Sequence, residues 1–190
     1  MSTIRNCRGV ALLEFAVVIP LVFLLFFGAI ETSRGIAANN EGVQLARETA
    51  VAVFHECKDK NITDETDYTK EQAEACLRSQ LDDIHRSFAA KRPRSAIVAT
   101  IYQNGPGGAE VFAGPITACV DSTDAGAPFD CTSISTRFPV ARAKRELASL
   151  LKLTKWTVVV ETFLKTDSVI ESALNPLKLE ERMYYAPAVM

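Results

Sequence analysis

The chain has 190 residues, 21 basic and 23 acidic side chains for a formal charge of −2, 48% hydrophobic residues and five cysteines. That balance excludes a nucleic-acid binder working through overall basic charge, and the length leaves room for one modest domain beyond a membrane segment. No P-loop, H-E-x-x-H, G-x-S-x-G or dinucleotide fingerprint occurs, so no enzyme activity, cofactor or metal is read from these residues.

A short polar leader with Arg5 and Arg8 closes on Gly9 and runs into VALLEFAVVIPLVFLLFFGAI, 21 residues from Val10 to Ile30 with one charge, Glu14. At 1.5 Å per residue such a run spans roughly 30 Å, the thickness of a bilayer's hydrocarbon core. The leader's arginines predict that residues 1–9 stay in the cytoplasm and that the chain beyond Glu31 lies outside. Pro20 interrupts the run, which a membrane helix tolerates when neighbouring groups satisfy the freed carbonyl. A carboxylate at the centre of a membrane helix costs about 2.5–3.5 kcal/mol. The cost is smaller near the interface, where Glu14 would lie, yet the charge still calls for a use. Three plainer readings compete. The apolar core is too long for an ordinary secretory signal peptide, whose core is about 7–15 residues. Cys7 precedes the core, whereas a lipoprotein cysteine follows it. An uncleaved single-pass anchor, carrying an extracytoplasmic binding or scaffold domain, gives the same topology.

The spacing of Gly9, Glu14 and Phe15 resembles a class III signal peptide, the type cut by prepilin peptidases. The wording GVALLEFAVVIPLVFLLFFGAIETSRG, and more loosely VVVETFLKT and ERMYYAPAV, resembles the TadE/TadF pseudopilins of the tight-adherence (Tad/Flp) type IV pilus system. The resemblance implies cleavage between Gly9 and Val10, which makes Glu14 the fifth residue of the mature chain. It implies pairing of Glu14 with the N-terminal amine of a neighbouring subunit, which would neutralise both charges and set an axial register; the alternative is that Glu14 snorkels to the headgroups. It also implies a minor pilin of the bacterial inner membrane with a periplasmic domain. The partners implied are the prepilin peptidase, other pilin-like subunits and the inner-membrane assembly platform. Major Tad pilins are very short after processing, so a domain of this size fits a minor or priming subunit.

Losing Arg5 and Arg8 with the leader moves the formal charge from −2 to −4. Cys7 leaves too, and the even set Cys57, Cys76, Cys119 and Cys131 then lies in an oxidising compartment, which reads as two disulfides. Three connectivities exist. The sequential pairs Cys57–Cys76 and Cys119–Cys131 are favoured because each closes a short loop, worth about 3 kcal/mol on the chain-entropy estimate. A zinc site is disfavoured, since His55 and Cys57 point to different faces of a helix and no C-x-x-C pair exists.

Residues 31–56 contain no proline and extend the helix, with a stripe of Ile36, Val43, Ala46, Ala50, Val53 and Phe54. Small residues Gly28, Thr32, Gly35, Asn39, Gly42 and Ala46 fall along one side. Such a seam lets helix backbones approach closely and predicts a packing face for another pilin-like helix, or else glycines tolerated near a bend.

The remainder reads as α+β. Residues 58–69 are a polar loop with Asp67 or Thr69 as N-cap. A helix follows to about Phe88, with Ala73, Leu77, Leu81, Ile84 and Phe88 inward, and Arg92-Pro93 ends it. SAIVATIY (95–102), a turn at NGPGG and AEVFAG read as a hairpin, and the stretch from Gly114 to Pro139 reads as loop-rich. Val140 to Leu153 reads as one amphipathic helix with Val140, Leu147, Leu150 and Leu151 inward. WTVVVETFLKT (156–166) is the strongest strand signal, a short loop or helix covers 167–179, and RMYYAPAV is a last strand. His55 and His85 read as surface or interface residues, and Asn61-Ile62-Thr63 as an incidental sequon. The basic clusters at Lys91, Arg92 and Arg94 and at Arg142, Lys144 and Arg145 read as solvated faces, with headgroup contact the alternative. The predicted organisation is leader 1–9, transmembrane helix 10–30, helix extension 31–56 and an extracytoplasmic α+β domain 57–190 with an antiparallel sheet.

Overall fold

The structure is a computed structural model that describes residues 8–59, 69–90, 94–119, 131–165 and 183–190. Cys7, the loop around Asp67, the Arg92-Pro93 stop, the centre of the 114–139 stretch and residues 167–179 therefore lie outside the described residues. The described elements are α1 (Arg8–Asp59), α2 (Lys70–Ala89), β1 (Ser95–Gly105), β2 (Gly108–Cys119), α3 (Val140–Glu146), α4 (Leu150–Leu153), β3 (Trp156–Lys165) and β4 (Met183–Val189). Two compact units divide the chain. One comprises Met1–Ala37 and Asp167–Glu181, the other Ala38–Thr166 and Arg182–Met190.

The second unit is α+β. Its four strands pair antiparallel in the order β2-β1-β3-β4. Alternate residues of each strand point to opposite faces, and both faces are covered. Ile97, Ala99, Ile101, Val158 and Val160 pack with Leu45, Ala46, Ala50 and Val53 of α1 and with Ala73, Leu77 and Leu81 of α2. Tyr102 and Val159, on the other face, pack with Phe138, Ala143, Leu147 and Leu151. Thr69 caps α2: its hydroxyl accepts from the Gln72 N–H, and the Gln72 side chain accepts from the Thr69 N–H. This reciprocal pair satisfies donors that a helix start leaves open.

Three expectations need correction. The strand after the turn does not end at Gly114; β2 continues to Cys119. Between Ala99↔Ile116 and Ile101↔Ala113, Gly114 and Pro115 stand opposite the single residue Thr100, so the pair is absorbed as a bulge on an edge strand. Gly114 has φ +95°, and a Cβ there would lie 2.7 Å from the Ala99 carbonyl oxygen, which no other residue type accommodates without strain. The helix from Val140 to Leu153 is broken after Glu146 and resumes at Leu150. Ala143, Leu147 and Leu151 form its inward stripe, while Val140 and Leu150 are 37% and 41% exposed. His85 is no surface residue: it is 3% exposed, and its Nε2–H donates to the Ser95 carbonyl at 2.9 Å.

Pro187 sits inside β4 without breaking the ladder. Val158 and Met190 exchange both backbone hydrogen bonds, so strand alternation turns the Pro187 nitrogen away from β3, where no N–H is needed.

Tyr102 is 1% exposed, and its hydroxyl donates to the Phe138 carbonyl at 2.6 Å. Burial, reinforced by the Glu161 carboxylate, pushes its phenol up to about 12. The folded state therefore holds this proton more tightly than the unfolded chain, and the associated stability is present below pH 10 and lost as pH rises toward 12. Absorbance titration of the phenolates should show a component that ionises only with alkaline unfolding, and Tyr102→Phe should diminish it.

Candidate functional site

α1 carries the features singled out in the sequence. Gly9 and Val10 lie within its helical N-terminal stretch. Glu14 is exposed and Phe15 is 66% exposed. From Val17 to Phe27 every large apolar side chain faces outward, between 42% and 74% exposed. The helix includes an 18-residue window of mean hydropathy 2.3 with none of it buried in the protein, long and apolar enough to cross a membrane by length and composition. Such a surface is costly in water, and lipid or other apolar helices relieve the cost. Pro20 stands inside this stretch, and the helix runs through it.

The small-residue seam does not act as one surface. Around Gly28 a shallow open groove is bordered by Leu24, Leu25, Ala29, Thr32 and Ile36. A Cβ on Gly28 would meet nothing within 4 Å. Thr32 donates its hydroxyl back to the Gly28 carbonyl at 2.8 Å, so the polar group is satisfied within the helix. Gly35 is part-exposed, and Ile36, expected on the inward stripe, is 58% exposed. From Ala38 onward the burial changes: Ala38, Gly42, Leu45, Ala46, Thr49, Ala50, Val53 and Cys57 are buried at helical spacing. Gly42 faces its own sheet, and its carbonyl accepts the Thr162 hydroxyl at 2.9 Å. Gly42 is thus used inside the molecule, where the sequence reading expected a second helix.

The cysteines tie this helix and the far sheet face. Cys57 at the end of α1 bonds Cys76 of α2, and Cys119 at the end of β2 bonds Cys131. The second bridge leads into the segment 134–138, which lies over the sheet with Ile134 and Phe138 buried. Glu161, 1% exposed, holds this segment: its carboxylate accepts from the Thr136 hydroxyl and, at 2.8 Å, from the Arg137 N–H. Sequence reasoning passed over Glu161. The signal was the one acid in the otherwise apolar and hydroxylic strand WTVVVETFL, a position where a carboxylate needs donors.

The division of the seam is testable. Gly42→Leu should lower the thermal midpoint of the detergent-solubilised chain, by about 1–3 kcal/mol of overpacking. Gly28→Leu, at an open position, should leave that midpoint unchanged; circular dichroism reads both.

Comparison with known proteins adds one result. Residues 9–51 match the family model described as TadE-like protein. No curated protein and no solved structure matches the chain. The match begins at Gly9, takes in Glu14, Phe15 and all three seam glycines, and ends on the buried half of α1. The segment Gly9–Val51 is TadE-like, and the match supports a TadE-like pilin of the tight-adherence (Tad) pilus system.

Proposed function

We propose that the chain is a minor pilin or pseudopilin that assists assembly of a Tad/Flp-type pilus. The observation that carries the proposal is the TadE-like segment on a helix whose apolar surface is exposed from Val17 to Phe27. In this reading α1 anchors the chain in the bacterial inner membrane, with residues 1–9 cytoplasmic and the α+β unit periplasmic, as the arginine leader favours. A prepilin peptidase cuts between Gly9 and Val10. The new amine on Val10 pairs with the Glu14 carboxylate of a neighbouring pilin-like subunit, because a carboxylate in a low-dielectric bundle is tolerable only when paired. Gly28 and Gly35 supply the close approach between helices. The chain then acts by assembly, as the substrate of a peptidase and a partner of the inner-membrane platform, and the disulfide-bonded unit contacts other subunits.

Coexpression with a prepilin peptidase, followed by intact mass and N-terminal sequencing, should give a chain starting at Val10. A chain that keeps Met1 to Gly9 under active peptidase would refute processing and leave an uncleaved single-pass anchor. Gly35→Leu should leave membrane insertion intact and reduce capture of pilin-like partners at least several-fold; undiminished capture removes the packing role of Gly35.

A further inference from the structure

We propose that the outer surface of α3 and α4 is a second membrane contact, which holds the folded unit against anionic lipid headgroups. From Arg137 to Lys155 the chain carries six cations and one acid, Glu146, a local charge of +5 in a chain whose total is −2. The rest of the sequence is therefore −7. Lys144, Arg145, Lys152 and Lys155 are exposed, as is Arg137, while Arg142 is half-buried. The fold explains the direction: Ala143, Leu147 and Leu151 occupy the stripe that meets the sheet, which leaves the cations outward.

A second observation points to lipid in particular. Leu153, between Lys152 and Lys155, is 85% exposed, more than any large apolar side chain described on α1, where Leu24 reaches 74%. Leu150 is 41% and Val140 37% exposed on the same two helices. Apolar side chains among cations suit the headgroup boundary, where leucine enters the acyl edge and lysine stems reach back to phosphates. Each cation near an anionic leaflet adds to the attraction, which fades over a Debye length of roughly 10 Å. Two acids temper the surface: Glu146 pairs with Arg142 at 2.8 Å, and Glu110 of β2 lies near Lys144, both side chains of that second pair reaching within 4 Å of where a Gly107 Cβ would stand; the cations remain in excess. Chain length alone tethers the unit near a bilayer, because seven residues separate Ile30 from Ala38.

The contact rests on α1 being membrane-inserted, and the test separates the two. The full chain is reconstituted in nanodiscs of phosphatidylcholine, or of phosphatidylcholine with phosphatidylglycerol, and retention through an alkaline wash reports insertion. Lysines are then acetylated by a water-soluble reagent and read by mass spectrometry. Lys144, Lys152 and Lys155 should react several-fold more slowly in anionic discs than in neutral ones, while Lys70 on α2, across the sheet, reacts equally. High salt should abolish the difference. Leu153→Ser should weaken the protection, and Lys152→Glu with Lys155→Glu should remove it at Lys144. Equal rates in both lipids overturn the contact. Protection in neutral discs that rises with protein density overturns it in favour of a protein partner. Loss of the chain in the alkaline wash overturns the anchor itself, and the contact with it.

Discussion

The folded unit is built around the buried stripe of α1 from Ala38 to Cys57. Leu45, Ala46, Ala50 and Val53 form one wall of the larger core, α2 and the sheet form the others, and Cys57–Cys76 fastens the helix end to its neighbour. A helix satisfies its own backbone hydrogen bonds, so one continuous element can offer an apolar surface outward over one stretch and bury a narrow stripe over the next. The change of duty falls near Ala38. Before it, large side chains such as Leu24 and Phe26 face outward; after it, the inward residues are mostly small, and Thr162 reaches the Gly42 carbonyl directly.

The sheet carries the second set of constraints. The two central strands β1 and β3 are covered on both faces and buried almost continuously, so a charged or phenolic group inside them needs a partner. Glu161 receives its donors from the segment 134–138, and Tyr102 donates to the same segment at Phe138. Two polar residues on adjacent strands thus hold one irregular stretch of chain, which covers sheet surface beside α3 and α4. The Cys119–Cys131 bridge limits where that stretch can start.

Much of this was legible from sequence. The strands were marked by β-branched runs, the α2 start by the N-cap candidates Asp67 and Thr69, and the membrane-type segment by its hydropathy. What escaped depended on tertiary context. Pro115 reads as a strand end, yet on an edge strand its missing N–H is harmless. Val140 and Leu150 fit a broad helical stripe, but the inward line is the narrow one through Ala143, Leu147 and Leu151, which leaves both at its margin. His85 looks solvent-facing by polarity, but its hydrogen bond to Ser95 requires a strand ten residues away in sequence. The glycine seam was visible as a spacing; that Gly42 faces its own β3 while Gly28 faces open space is a matter of which neighbour arrives.

The buried stripe of α1 also fixes where a soluble derivative of this protein must begin. Starting at residue 57, where polarity and the first retained cysteine invite a boundary, would delete Leu45, Ala46, Ala50 and Val53 and lay bare Leu77, Leu81 and the Ile97–Ile101 face of the sheet. Such a fragment would keep all its strands and both disulfides and still lack a side of its interior. A start at Ala38 retains that side, with Gly42 in contact with Thr162. In this molecule the exposed apolar stretch and the domain share one helix, so the point at which that helix is cut decides whether the core stays whole.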